Sequence, residues 1–204
     1  MRITSRLSLA APIVALAMLV SANIASAQNT ETIDGGRTTV TLASDFVSAL
    51  GILGVTPGTV GPTELYNGRV NFPVTGGAID LDTAVSQILH SGGLTLTAGQ
   101  TKVTLQSFII DTTGAPVITG LVSVNGKLLG RLPIFDLALP GGITLPLDPH
   151  HGRIIIRGVG VTLDSTAAGA LNSVFNVSAF QGGFGIGTAK VIINLPVSDD
   201  EDED

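Results

Sequence analysis

The 204-residue chain contains no cysteine, no tryptophan and a single tyrosine, Tyr66. Without cysteine there is neither a disulfide framework nor a lipid attachment at an export-signal cleavage site, so stability has to come from an apolar core. The dearth of aromatics argues against an outer-membrane barrel, whose lipid-facing band is flanked by aromatic girdles. The acidic ending VSDDEDED also stands where such a barrel would close with a strand. Basic residues are scarce: ten Lys and Arg face sixteen Asp and Glu, a formal net charge of −6. With no basic cluster to meet phosphates, nucleic acid is excluded as a partner class. Beyond residue 27 no apolar stretch is long and uniform enough to span a bilayer as a helix.

The one long apolar run lies at the start. MRITSRLSLAAPIVALAMLVSANIASAQ places Arg2 and Arg6 ahead of Leu7 to Val20 and ends in the small-residue triplet Ala25-Ser26-Ala27. A charged start, an apolar core of about 14 residues and an A-x-A site describe a secretory signal peptide of bacterial type. Cleavage is expected after Ala27, leaving a secreted or periplasmic chain with eight basic and sixteen acidic residues, a net charge of −8. Residues 28–196 are expected to form one β-rich domain, and 197–204 an acidic tail that repels itself and stays solvated.

Within that domain the dominant pattern is alternation. Gln28 to Arg37 reads as a loose polar start, and TTVTLA (38–43) as a first strand. Ser44-Asp45 supplies an N-cap and an acidic first turn for a short helix with Phe46, Leu50 and Leu53 on one side and Gly54 as its stop. VTPGTVGPTE reads as a connecting loop, because Pro57 and Pro62 forbid a central strand. GRVNFPV, AIDL, DTAVSQILH, LTLTAG and KVTLQSFIID follow as strands. The last has Val103, Leu105 and Ile109 on one face and Phe108 and Ile110 on the other, which predicts burial on both faces toward its end.

VITGLVSV and KLLGRLPIFDLAL flank Asn125-Gly126, a pair that favours a type I′ turn because both central positions need positive φ. A tight hairpin is predicted there, with Pro133 marking an edge or a bulge. PGGITLPLDPHHG is turn-rich, RIIIRGVGVTLD (153–164) a long strand, and Asp164 or Ser165 caps a second helix through Ala167, Leu171, Val174 and Phe175. GTAKVIINLPV is the final strand. A GG-x-[IL]-x-L element recurs at Gly76, Gly92 and Gly141 without constant period, which reads as a strand-entry device and not a solenoid. The fold class is all-β: an antiparallel sandwich or partly closed barrel of about eight to ten strands with two short helices.

Chemistry-bearing residues are few. There is no G-x-S-x-G, H-E-x-x-H or phosphate-binding P-loop. GGFGIG (182–187) leads into a strand and lacks the helix end that holds phosphate. His90, on the glycine turn of HSGGLTL, is either an iron or metal ligand or a strand-end histidine hydrogen-bonded locally. In DPHHG, adjacent His150 and His151 point to opposite faces of an extended chain and reach one ion only if a turn reorients them. Asp80, Asp82, Asp111 and Asp136 stand at strand ends or inside strands, where they bond turn backbone or pair as an acid and base. The acidic tail lacks the spaced loop of a structured calcium site. Asn176-Val177-Ser178 matches a glycosylation sequon, to which the bacterial-type signal assigns no role.

NGRVNFPVTGGAIDL followed by HSGGLTL, from Tyr66 to Asp111, resembles exported bacterial domains of the Htaa type, some of which bind haem on a β-rich fold. In that family a tyrosine holds haem, a histidine supports it, and the tyrosine sits in an aromatic N-terminal segment with tryptophan. That segment is absent here. The resemblance implies Tyr66 and His90 as cofactor-binding residues and haem as the cofactor. ALNSVFNVSAFQGGFGIGTAKV looks like the ending of other exported bacterial proteins and adds no function.

Three readings follow. The first is an exported, non-catalytic β domain acting by binding or surface contact, toward a small ligand or a protein surface. The second is a binding protein for haem or another apolar ligand in a cavity of the β structure, and the third a hydrolase built on strand-end aspartates. No residue is assigned a catalytic or metal-binding role.

Overall fold

A computed structural model describes residues 29–196, so the signal peptide, its cleavage position and the tail of 197–204 lie outside the described residues. The described chain folds as β1 (Thr30–Thr32), β2 (Gly35–Leu42), α1 (Ser44–Ile52), β3 (Thr56–Val60), β4 (Glu64–Tyr66), β5 (Arg69–Asp80) and β6 (Ser86–His90). There follow β7 (Gly93–Ala98), β8 (Thr101–Asp111), β9 (Val117–Val124), β10 (Lys127–Ala138), β11 (Arg153–Leu163), α2 (Ser165–Phe175) and β12 (Gly185–Asn194).

Eight strands close an antiparallel barrel. The ring runs β5, β2, β12, β11, β10, β9 and β8, and β6 bridges β8 back to β5. The short β6 covers only part of its neighbours. On β5 it occupies Val74 to Ile79, leaving Arg69 to Asn71 to β4; on β8 it occupies Ile109 to Asp111, leaving Thr101 to Gln106 to β7, which carries β3 on its outer side. The wall therefore splits just beyond His90, where β6 ends. Both helices follow strands that run toward this same end, which we call the mouth.

The barrel encloses carbon. Val40, Val70, Phe72, Val74, Ile88, Phe108, Ile110, Ile134, Val161, Leu163, Val191 and Ile193 are buried in one continuous cluster. Alternation sends Thr39, Thr41, Lys102, Arg157 and Lys190 outward. A membrane barrel is the inverse, apolar outside and polar within. Among the described residues no helix is long and apolar enough to cross a membrane.

Much of the expected pattern is present. Asn125 (φ 50°) and Gly126 (φ 84°) form the hairpin turn between β9 and β10, and Pro133 sits where the ladder with β9 slips register. Asp164 caps α2 by accepting from the N–H groups of Thr166 and Ala167, and Asn176 closes the helix in the left-handed region at φ 53°. Helix α1 departs from expectation: its N-cap is Ala43, whose methyl group cannot accept a hydrogen bond, and Ser44 is already the first helical residue, its hydroxyl turned to the Asp45 carboxylate.

Other expectations are corrected as well, DTAVSQILH among them, which is strand only from Ser86, after a turn at 81–83. The supposed loop around Pro57 is strand β3; proline is tolerated because β3 lies at the outer edge of β7, where the absent N–H would have faced no partner. The loose start holds β1 and an earlier beginning of β2, paired with β5 and β12. In β8 a bulge at Ser107 (φ 52°) breaks the alternation, so Val103, Leu105, Phe108 and Ile110 all face inward and one face is buried, not two. Of the three GG-x-[IL]-x-L copies only the one at Gly92 opens a strand. Gly76-Gly77 lie inside β5, where a Cβ on Gly77 would collide with the Gln87 carbonyl, and Gly141-Gly142 lie in a turn before β11.

Candidate functional site

At the mouth the barrel interior meets a break in its wall. An apolar cavity of about 80 Å³ runs under the mouth, bounded by Phe46 of α1, Pro57 of β3, Leu65 of β4, Leu94 of β7 and Leu171 of α2. His90 and Thr38 are the polar residues of its wall. Ordinary small-molecule pockets run from about 300 Å³ upward, so this interior is nearly filled.

His90 is 6 % exposed and ends β6 with its ring turned into the barrel. Its Nδ1 lies 3.3 Å from the carbonyl oxygen of Phe108, and its Nε2 2.7 Å from Thr38 Oγ1. A carbonyl only accepts, so Nδ1–H is the donor there; Nε2 is left with a lone pair and takes the Thr38 hydroxyl proton. Burial in apolar surroundings pushes the imidazole down to about 4, against a partial upward pull from backbone hydrogen bonds. The ring is neutral at physiological pH. Its place at a strand end agrees with the plain structural reading. Its partner does not: Thr38 is 52 residues away on β2. The residue missed by sequence reading is therefore Thr38, and only its buried face within an alternating strand could have pointed to it.

Tyr66 stands at the end of β4, 74 % exposed. It pairs with Arg69, whereas His90 pairs with Val74 on the same edge of β5. At about 3.3 Å per residue the two are roughly 16 Å apart along the strand, and the fold does not bring them together. Between β3 and β4, Thr63 buries its hydroxyl beside Gly92 with no hydrogen-bond partner among the described residues.

The aspartates do not converge on a cleft. Asp80 accepts from the N–H groups of Asp82 and Thr83 and from the Thr83 hydroxyl, organising the turn into β6. Asp111 accepts from Thr113 and Gln87, hydrogen bonds that hold its carboxyl below the usual carboxylate range. Asp136 is exposed and separated from Asp111 by Val117 on the strand between them, about two strand spacings or roughly 10 Å. These are turn and surface carboxylates. At the far end of the barrel, His151 (φ 51°) and Gly152 (φ 64°) form a turn that brings the rings of His150 and His151 to 4.4 Å. The turn does reorient the pair, yet no group of three or more metal-capable side chains occurs among the described residues. GGFGIG enters β12 directly.

No protein-family model matches the sequence, and no curated protein matches it. The fold is matched by solved structures. The C-terminal domain of HtaA from Corynebacterium glutamicum superposes with a TM-score of 0.63 at 12 % identity, covering 81 % of this chain and 99 % of that one. The N-terminal domain of HtaA from the same organism gives 0.60 at 10 % identity, with 81 % and 99 % covered. The Heme binding protein HtaB from Corynebacterium glutamicum gives 0.54 at 9 % identity, with 83 % and 96 % covered. The likeness to Htaa-type domains thus extends over the barrel as a likeness of fold.

Proposed function

We propose that this chain is an exported, non-catalytic binding domain that takes an apolar small molecule at the barrel mouth by burial of carbon surface. The observation that carries the reading is the lining: carbon from ten strands and both helices faces the cavity under the divided wall, with His90 and Thr38 as its polar pair. A ligand of ordinary size exceeds about 80 Å³, so binding displaces the α1–β3–β4 cap, whose strands pair with one neighbour each, β3 with β7 and β4 with β5.

Haem is the ligand named for HtaB, and it is the natural first macrocycle to test. The residues here do not fit its iron. Both nitrogens of His90 are engaged, Thr38 offers an aliphatic hydroxyl and no phenolate, and Tyr66 lies on the rim. The reading is therefore apolar burial without an iron ligand.

Fluorescence titration with iron-free protoporphyrin IX tests it. Saturable binding is expected, weakened about tenfold, or about 1.4 kcal/mol, by Leu94→Phe, which fills the mouth. Absence of binding, or binding indifferent to Leu94→Phe in a folded variant, would overturn the reading.

A further inference from the structure

The apolar side chains left on the surface are not spread evenly. Among the described residues the five most exposed large ones, from Ile52 at 86 % to Val47 at 48 % with Tyr66, Leu128 and Leu129 between them, all lie at the mouth end. At the far end β11 shows only a gap at residues 155–157, between the end of β10 and the chain's own turn from His150 to Arg153, too short to seat a strand. The β9–β10 hairpin reaches furthest at the mouth. β11 stops at Leu163, which pairs with Phe135, itself opposite Ile118. β9 runs on from Ile118 to Val124, about six residues or roughly 20 Å.

The tip of the hairpin is Asn125-Gly126 followed by Lys127, Leu128 and Leu129, all exposed. Register sets Leu128 opposite Ser123 and Arg131 opposite Leu121, beside Thr104 and Gln106 of β8, so Leu128, Arg131 and Lys102 share the outer face. Leu129, in the bulge, lies on the other side with Leu132, against Ala170 and Val174 of α2. Charge at the tip has one sign. Lys102, Lys127 and Arg131 are exposed, and the fold gathers them from separate places in the sequence: the Lys102 carbonyl accepts from the Asn125 N–H at 2.8 Å. Between Asp111 and Asp136 the charged residues are Lys127 and Arg131 alone, and between Asp164 and Lys190, a stretch that includes all of α2, there is none. The acids of the mouth end stand off the hairpin: Asp164 caps α2, Asp45 lies in the first turn of α1, and Glu64 on β4.

A projecting apolar tip ringed by cations, on a chain of net charge −6, asks for a partner that is both apolar and anionic. A second copy of the chain fits badly: register slips at Gly130 and Pro133 break the ladder along the free edge of β10, and self-pairing about Leu129 sets Lys127 against Arg131. A bilayer surface offers phosphates that meet the cations and, just beneath them, acyl chains that take leucine. We propose that the mouth end docks on an anionic lipid bilayer, with Leu128 and Leu129 of the β9–β10 tip at the boundary of headgroups and acyl chains and Lys102, Lys127 and Arg131 against the phosphates. Ile52 and Tyr66 complete the apolar rim. The docking surface is independent of what the cavity takes, and it turns the cavity toward the phase in which apolar molecules dissolve.

Because the chain has no cysteine, a single label reports on a chosen position. Leu128→Cys and, at the far end, Leu145→Cys are each labelled with the environment-sensitive dye NBD and mixed with vesicles of equal parts phosphatidylglycerol and phosphatidylcholine. Brighter, blue-shifted emission is expected at 128 and unchanged emission at 145, a contrast that binding through another segment of the chain would not produce. Cosedimentation of the unlabelled protein is expected to fall about tenfold for Leu128→Ser with Leu129→Ser, about fivefold for Lys127→Ala, and to be nearly lost on phosphatidylcholine alone. Both leucines are exposed, so an unchanged urea midpoint is expected to accompany the loss. The proposal is overturned if the two labels respond alike or neither responds, if the serine pair binds as the parent does, or if neutral vesicles bind equally. A parent that ignores vesicles yet self-associates through these leucines would also overturn it, by assigning the tip to a second copy. No ligand enters the test, so its outcome is separate from that of the cavity reading.

Discussion

The two ends of the barrel leave different things unfinished. At the mouth every strand of the ring is paired, and what remains is apolar surface, which two helices and the β3–β4 flap gather over His90. At the far end the apolar interior is sealed by the segment 139–147, and what remains is backbone: the unpaired groups of Ile155 and Arg157. The contrast assigns different chemistry to each. Burial of carbon carries no direction, whereas N–H and carbonyl groups bond along fixed directions.

That contrast predicts large stability effects at the mouth and almost none at the edge. Phe108, which packs edge-on against Phe72 with centroids 5.3 Å apart, is the strongest case. Phe108→Ala is expected to cost about 3–5 kcal/mol in urea denaturation. Next comes acid. His90 stays neutral in the folded protein down to about pH 4, while the unfolded chain protonates it near 6.5. Between those values the unfolded state binds the additional proton, so stability that is complete above pH 6.5 is lost as the pH falls toward 4. The loss amounts to roughly 3 kcal/mol, and His90→Gln should flatten the difference between urea midpoints at pH 7.5 and pH 4.5.

Thr38→Val removes the hydroxyl that serves Nε2 and is expected to cost about 1–3 kcal/mol at pH 7.5. The helices sharpen the comparison further: Asp164→Ala should cost about 1 kcal/mol, because its carboxylate caps α2, while Ser44→Ala on uncapped α1 should be nearly silent. Smallest is Arg157→Glu, within about 0.5 kcal/mol of the parent. A destabilisation there as large as that of Thr38→Val would erase the distinction between the ends.

What could be read from the sequence follows the same division. Strand and helix content, the Asn125-Gly126 hairpin, the Pro133 bulge and the Asp164 cap are local, set by φ preferences and by side chains within a few residues. Closure of the ring was not legible, since it depends on β6 joining β5 to β8 and no local pattern records which edges meet. The bulge at Ser107 hid the true face of Phe108, because a single added residue inverts the parity of everything beyond it. Pro57 misled for a related reason: proline excludes a central strand, but only the finished sheet shows that β3 is an edge. Of the candidate site, His90 was visible as a lone histidine on a glycine turn. Its hydroxyl partner was not, and neither was the open edge of β11, which exists only because β10 ends where it does.

The central claim, apolar burial at the mouth with no iron ligand, meets its most direct test in the visible spectrum of hemin added to the purified protein. The account predicts a broad, unligated Soret band that is the same for the parent, Tyr66→Phe and His90→Ala. A sharp, shifted Soret band that either substitution abolishes would contradict it.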